Sequence, residues 1–383
     1  MSAGYLNTHV QKSAKTLKRH TDTLSEVRTY RKGDESAIAR LFNLCFGQSG
    51  LYLPFSPELW RWRYLSCPGF DPHSVFLVQE SGRIISALVM TYVEMLVNGL
   101  PKLVAIIGDV STHPAHRHQG HATNLMTQAI ELAKKRGCWA MHLTANPHGG
   151  AIRIYRALGF RTLVKPVTMV SPLRKENGTT AVGFLPSIPI LFIDSILSIR
   201  SIRHFTGSTK LRVIEGADIR PSLFAQHETQ KQRNGCLMMG EEYCRWFCGQ
   251  RPEGSVGVFE VTSPSQTVGI ATISSITAMM WRRPVRLANI SNLVITEDGR
   301  DTETIAEILM KLRKAAADHF DCVAATIYVD PRDTVTFRAC QRARFFRAGE
   351  SAAMIHPLGD MGKLHELSKG YWSQPLEAVK PVP

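Results

Sequence analysis

The sequence predicts a mixed α/β protein made of two similar domains, each a twisted mixed sheet flanked by helices. Segments rich in strand formers alternate with segments of helical periodicity. The 383 residues exceed one ordinary domain, and the chain contains an internal repeat. A hydrophobic fraction of 44% with 20% charged residues is typical of a folded soluble protein.

The elements of the first domain follow from these patterns. Helical periodicity marks "AIARLFNLCF", "HATNLMTQAIELAKKRG" and "GAIRIYRALGF", the last two ending at a glycine. Strand formers bounded by Gly and Pro mark "SVFLVQE", "RIISALVMTYVEML", "KLVAIIGDVST" and "CWAMHLTA". Strands followed by alternating strands and helices predict a mixed sheet.

The repeat appears when the chain is compared with itself at an offset of 184 residues. Trp62 then matches Trp246, and Leu125-Met126 match Leu309-Met310. One insertion near Pro331 brings Phe160 onto Phe345. The offset far exceeds the roughly 20 to 50 residues of a solenoid repeat, so it indicates two similar domains.

The domain boundaries follow from the repeat and from turn residues between its copies. We expect a flexible basic tail at 1–24, a first domain at 25–172, a linker with an apolar helix at 173–208, a second domain at 209–360 and a C-terminal tail at 361–383. The apolar run at 184–199 contains two prolines and an aspartate and is too short for a membrane span. Burial between the domains is favoured over a surface-lying membrane helix.

The net charge indicates which partners the protein could bind, and the cysteine pattern indicates its cellular compartment. A formal charge of +14 should attract anions: nucleic acid, acidic lipid or a phosphorylated cofactor. The eight cysteines form no CxxC pair, and the N-terminus lacks the apolar core of a secretory signal. We therefore expect reduced thiols and a cytoplasmic location.

The stretch "THPAHRHQGHAT" follows a strand and opens a helix. Its Arg117-x-x-Gly120-x-Ala122 pattern predicts an anion-binding turn, since a helix start carries free N–H groups and a partial positive charge. Its four histidines have spacing that would also suit a metal. No cysteine or carboxylate completes a ligand set within the stretch, so the anion site is favoured and no metal is expected.

This turn resembles the acetyl-CoA motif of the GNAT superfamily of N-acetyltransferases, with Pro114, Arg117, Gly120 and Ala122 in the motif positions. Asn146 and Tyr155 follow downstream as they do in GNAT domains. The resemblance implies a fold of two tandem GNAT-like domains and acetyl-CoA as acyl donor. The implied donor-binding residues are Val110, Ser111, Thr112, Arg117, His118, Gln119, Gly120, His121, Ala122, Thr123 and Asn146.

The resemblance also implies a direct transfer to an amine. Tyr155 would protonate the departing thiolate, although a half-buried aromatic packing its helix is the structural alternative. Asp109 is the first candidate for the base, with His142 and His113 as substitutes; an ion-pair partner or a cap is the alternative for Asp109.

The second domain has lost the anion-binding pattern. At the same offset, Arg117 becomes Asp301, Gly120 becomes Thr304, and Tyr155 has no tyrosine counterpart. The surrounding "TEDGRDTETIAE" would repel a pyrophosphate. The second domain is therefore predicted to keep the fold without binding CoA.

The sequence thus predicts an acetyl-CoA-dependent N-acetyltransferase acting on a small-molecule or peptide amine. The alternative is a non-catalytic acyl-CoA-binding regulatory module. A third possibility is nucleic-acid binding by "LWRWRYL", but the recurrence of Arg-Trp-aromatic at 245–247 favours a fold element. No nucleic-acid partner and no membrane span are expected, and the oligomeric state is not predicted.

Overall fold

The structure is a computed structural model. It describes residues 25–47, 51–97, 100–173, 210–214, 241–249, 251–252, 254–262, 267–295 and 301–359. The tail at 1–24 and the apolar segment at 184–199 lie outside the described residues. Within the described part of the chain, no helix is long and apolar enough to cross a membrane.

The first half contains every element that the sequence predicts. Its strands are β1 (Glu26–Thr29), β2 (Leu51–Tyr52), β3 (Val75–Glu80), β4 (Arg83–Val97), β5 (Leu100–Thr112), β6 (Ala140–Ala145), β7 (Arg161–Val164) and β8 (Val167–Pro172). Its helices are α1 (Glu35–Phe46), α2 (Pro57–Trp60, continued by a π-helical turn at Arg61–Leu65), α3 (His121–Lys135) and α4 (Ala151–Ala157).

The second half repeats much of this order. Its strands are β9 (Lys210–Ile214), β10 (Val256–Thr262), β11 (Thr267–Met280), β12 (Arg283–Ile295), β13 (Ala324–Val329), β14 (Phe346–Glu350) and β15 (Ala352–Pro357). Its helices are α5 (Glu241–Cys248), α6 (Thr302–Phe320) and α7 (Thr334–Arg342). Two mixed sheets flanked by helices result, which confirms the predicted fold class.

Helix α3 shows why the periodic segments fold as predicted. It buries Leu125, Met126, Ala129 and Ile130, whose spacing of one, three and four residues forms one face of a helix. This face packs on the first sheet together with α4. Helices α1 and α2 cover the opposite face of that sheet, so the sheet is buried on both sides.

The two halves exchange a strand. The first sheet has the order β1-β3-β4-β5-β6-β15-β7, and the second has β14-β8-β13-β12-β11-β10-β9 with β2 added to β11. Strand β15 pairs with β6 from Ala352–Ala145 to Pro357–Ala140, and β8 pairs with β13 in the same antiparallel way. Each sheet therefore holds a strand from the other half of the chain.

Two tryptophans that match in the repeat meet between the halves. The rings of Trp62 and Trp246 stack with centroids 4.9 Å apart and planes 16° apart. The indole N–H of Trp246 donates to the Trp62 carbonyl at 2.9 Å. This contact therefore gives "LWRWRYL" a structural role.

Candidate active site

A β-bulge interrupts the pairing of β4 with β5. Ala87 pairs with Ser111 and Val89 with Gly108, so Leu88 alone faces both Asp109 and Val110. Asp109 has a φ of 51°, which is uncommon for a residue other than glycine. Bulges bend a strand and re-aim its backbone, and they are frequent beside active sites.

Strands β5 and β6 separate beyond this point. Their parallel pairing runs from Val104–Ala140 to Ile107–Leu143 and ends there. Strand β5 nevertheless continues to Thr112, while Thr144 and Ala145 of β6 pair with β15 on the other side. In the described structure, the β6 side of Gly108–Thr112 thus has no strand partner. The sequence resemblance implies this opening between strands.

The start of α3 lies at the end of the same loop. Gly120 occupies the N-cap position with a φ of 83°, and no side chain caps the helix. The backbone hydrogen bond to the N-cap carbonyl runs from the Asn124 N–H to the carbonyl of Gly120, at 2.9 Å. The preceding N–H groups have no partner within a helix, and they carry its positive partial charge. This helix start can accept an anion.

Arg117 stands beside this helix start. Its side chain is exposed, and its Nε donates to the Thr112 carbonyl at 3.4 Å. The same carbonyl accepts from the Cys45 thiol of α1 at 3.2 Å. Burial raises the pKa of Cys45, and the nearby Arg117 cation opposes this rise. The sequence patterns did not identify Cys45 as a residue that contacts this loop.

Three of the four loop histidines make polar contacts, and the rings of His113 and His116 also meet edge to face with centroids 5.3 Å apart. His113 Nδ1 accepts from the Ala115 N–H at 3.2 Å, His116 Nδ1 lies 3.4 Å from Glu80, and His121 Nε2 lies 3.2 Å from the Gln119 side chain. Among the residues that the structure describes, no three His, Cys, Asp or Glu side chains are grouped to hold a metal ion.

Asp109, the first candidate for the base, lies in a buried polar cluster. Its carboxylate accepts a hydrogen bond from the Tyr64 hydroxyl, and its other oxygen is 3.8 Å from the Arg63 guanidinium. Arg63 packs over Phe55 and Tyr64, with the guanidinium 5.3 and 5.2 Å from the two ring centroids. Burial and the Asp109 carboxylate raise the pKa of Tyr64, whereas Arg63 lowers it.

The structure gives the two substitute bases different surroundings. His142 is 1% exposed and lies within β6, opposite Ile355 of the exchanged strand. His113 caps the short 3₁₀ turn Pro114–His116 through the bond from Ala115. The Asp109 contacts to Arg63 and Tyr64 were not evident in the sequence, because both partners lie about 45 residues away in a segment that reads as a fold element.

Tyr155 lies on α4 with its ring in the core of the first half. It is 7% exposed, and its ring centroid is 6.1 Å from that of Phe160. Burial raises its pKa to about 12, so the phenol keeps its proton at neutral pH. Asn146 precedes α4, and its side-chain oxygen accepts from the His148 N–H at 2.9 Å. Both residues lie on the α4 side of β6; their assigned roles stay predictions.

The corresponding helix start in the second half is occupied by the protein itself. Asp301 is the N-cap of α6, and its carboxylate accepts from the N–H groups of Glu303 and Thr304, both at 2.9 Å. Gly120 and Asp301 each occupy the position directly before the first residue of their helix, His121 in α3 and Thr302 in α6. The structural counterpart of Gly120 is therefore Asp301, and not Thr304 as the fixed offset suggests.

Comparisons with known proteins agree with this geometry. The model of the acetyltransferase (GNAT) domain family matches residues 26–163. A search of curated protein sequences finds no match. The fold is similar to that of Saccharomyces cerevisiae N-myristoyltransferase with bound myristoyl-CoA, with a TM-score of 0.64, 14% identity and coverage of 87% of this chain and 78% of that chain.

A second solved structure has a similar fold. It is a GCN5-related N-acetyltransferase from Anabaena variabilis, with a TM-score of 0.55, 12% identity and coverage of 88% of this chain and 73% of that chain. Such low identity shows a common fold and no more. The family model, in agreement with the strand and helix geometry described above, identifies residues 26–163 as an acetyltransferase (GNAT) domain.

Proposed function

We propose that this protein transfers an acetyl group from acetyl-CoA to a primary amine, at a single site in its first half. One observation carries the proposal: the uncapped start of α3 lies next to the end of β5 that has separated from β6. A helix start suits a pyrophosphate, and an unpaired strand edge suits an extended pantetheine arm.

The donor would bind along these backbone groups. The N–H groups of 117–123, with the Arg117 guanidinium, would hold the pyrophosphate. Val110, Ser111 and Thr112 would pair with the pantetheine, and Asn146 would contact its far side. Arg117 and Gly120 are both exposed, which supports access by a ligand from solvent.

The reaction would proceed by direct attack. The nitrogen lone pair of the neutral amine adds to the thioester carbonyl carbon, and a backbone N–H near the bulge stabilises the oxyanion. The carbon–sulfur bond then breaks, and the thiolate takes a proton from Tyr155. The phenol of Tyr155 is protonated at neutral pH, as this role requires. The burial that raises its pKa to about 12 makes it a weaker acid than an exposed tyrosine.

Removal of the amine proton is assigned to Asp109. Its carboxylate is charge-balanced by Arg63 and hydrogen-bonded by Tyr64. An incoming ammonium would approach a carboxylate that already holds a defined orientation. His113, at the mouth of the loop, is the second candidate and His142 is the third.

The second half would be a degenerate copy of the first. The stacked pair of Trp62 and Trp246 and the exchanged strands β8 and β15 support an origin by duplication, with domains at 25–172 and 209–360. Because Asp301 occupies the α6 start, we propose no CoA site there. A cytoplasmic location is part of the proposal, because the eight cysteines of the sequence form no CxxC pair.

A non-catalytic acyl-CoA-binding module is the second candidate. Two observations favour it: Tyr155 is 7% exposed within a packed core, and Asp109 already has two partners. Such a protein would bind the donor through α3 and β5 without turning it over.

Thiol release from acetyl-CoA over a panel of amines, with calorimetric CoA binding, separates the two candidates. Tyr155→Phe should lower kcat by about 100-fold or more, as for loss of a general acid, and leave CoA affinity unchanged. Tyr92→Phe is the matched control, since the Tyr92 hydroxyl accepts a hydrogen bond from Ser74 at 2.9 Å and has no assigned part in the reaction, so that its loss should not alter kcat. Tight CoA binding with no turnover for any amine would support the module instead.

A further inference from the structure

The tip of the β11–β12 hairpin exposes a tryptophan. Trp281 is 62% exposed, against 59% for Leu100 and 43% for Leu44, the other large exposed apolar residues in the described structure. The nearest fully buried residues along the two strands are Ala278 and Ala288, so the residues between them extend past the core.

The turn at this tip is unfavourable for its residues. Trp281 and Arg282 form the two-residue loop, with φ angles of 50° and 66°. Such turns favour Asn-Gly, because both positions need a positive φ. Asn98-Gly99 stands in the sequence between β4 and β5, the matching hairpin of the first half. The Trp-Arg pair thus costs conformational free energy, and strain of this kind is commonly retained for function.

The surroundings of Trp281 are apolar and basic. Met279 and Met280 are half-buried and pair with Tyr52 and Leu51 of β2. Three exposed arginines follow Trp281 in the sequence, and residues 267–295 include no Asp or Glu. Arg282 and Arg283 lie at the tip, and Arg286 lies further along β12, where its guanidinium donates to the Phe320 carbonyl at 3.4 Å.

We propose that this hairpin tip docks on an anionic lipid surface. Trp281 would enter the interfacial layer with the two methionines beside it, and the arginines would contact lipid phosphates. Tryptophan favours the membrane–water interface, and basic residues near an anionic leaflet each add to binding. This proposal is independent of acetyl transfer.

The composition of the tip favours lipid over nucleic acid. Single strands bind best on several aromatic rings that stack successive bases. At this tip one exposed indole projects beyond two methionines and Leu51, with Tyr52 as the second aromatic residue, and thioether and aliphatic groups fit acyl chains better than bases. The chain's net charge of +14 adds attraction to an anionic surface.

Co-sedimentation of the full-length protein with phosphatidylcholine vesicles, with and without phosphatidylserine, tests the proposal. We expect binding to the anionic vesicles only. The double variant Trp281→Asn with Arg282→Gly, which installs the turn of the first hairpin, should lose at least tenfold in affinity. It should unfold at the same or a higher temperature, because the new pair suits the turn. Leu100→Ala, at the tip of the first hairpin, should bind as the wild type does.

The arginines give a second, graded readout. Arg286→Gln, made with and without Arg282→Gln, should lower affinity about fivefold for each charge removed. The proposal would be overturned if the wild-type protein did not bind anionic vesicles. It would also be overturned if the folded Asn-Gly variant bound them as tightly as the wild type does. Tip-dependent binding to a single-stranded oligonucleotide with no vesicle binding would assign the surface to nucleic acid instead.

Discussion

Two helix starts, α3 in the first half and α6 in the second, follow matching strands yet offer opposite surfaces to an anion. At α3 the N-cap is Gly120, and no side chain satisfies the first N–H groups. At α6 the carboxylate of Asp301 accepts from two of them, at 2.9 Å each. The N-caps also differ in backbone conformation: Gly120 is left-handed, with φ 83° and ψ −3°, whereas Asp301 is extended, with φ −110° and ψ 161°. The helix start is open in the first half and closed by its own cap in the second.

This difference shows what converts a structural element into a binding site. An aspartate at an N-cap stabilises its helix by satisfying donors and the helix dipole. A glycine leaves those donors unsatisfied, which costs stability but keeps them available for a ligand. The first half therefore gives up local stability where we propose that it binds the donor.

Gly120→Asp should break this contrast by placing a carboxylate at the start of α3. Repulsion of the pyrophosphate and competition for its N–H donors should weaken CoA binding by about 3 kcal/mol, roughly 100-fold. Isothermal titration with CoA measures the effect.

Gly137→Asp is the matched control at the other end of the same helix. Gly137 has a φ of 68° and Gly120 a φ of 83°, and an added Cβ meets no atom within 4 Å at either. The backbone strain is therefore similar, and only the position differs. Equal CoA affinity in the two variants would contradict the site.

The sequence predicted much of the fold because its patterns are local. The periodicity of α3 and the strand formers of β4 and β5 lie within single segments. The motif around Gly120 is also local, so the loop that joins strand to helix was identified before its structure was known. The repeat then predicted a second sheet of the same kind.

The exchange of β8 and β15 was not predictable in this way. Both strands are short and apolar, and the matching sheets offer each of them a similar edge. Local sequence does not choose between two such edges. The contacts of Asp109 were missed for a related reason, since Arg63 and Tyr64 approach it only through the tertiary fold.

Tyr155 and its counterpart in the second half give a second contrast. Burial raises the pKa of Tyr155 to about 12 from its ordinary value of 10. The folded protein thus holds this proton more tightly than the unfolded chain does, and the resulting stability is complete below pH 10. It is lost as the pH rises from 10 to about 12, so wild type should lose about 3 kcal/mol that Tyr155→Phe does not.

Denaturant unfolding at a series of pH values measures this difference. Cys340 lies near the matching position on α7, and burial raises its thiol pKa to about 12. Cys340→Ala should also reduce the alkaline loss of stability, yet leave thiol release from acetyl-CoA unchanged, whereas Tyr155→Phe should affect both. Parallel pH curves for wild type and Tyr155→Phe would show that the phenol titrates normally.

Asp301→Ala should have the smallest effect on stability, and it tests the contrast between the starts of α3 and α6. Loss of the N-cap bonds should lower the free energy of unfolding by about 1 kcal/mol, measured by denaturant titration. CoA should still not bind in the second half, because an arginine corresponding to Arg117 is absent there and Glu303 follows in the first turn. A second CoA equivalent in calorimetry would show that the single carboxylate had closed a site that was otherwise complete.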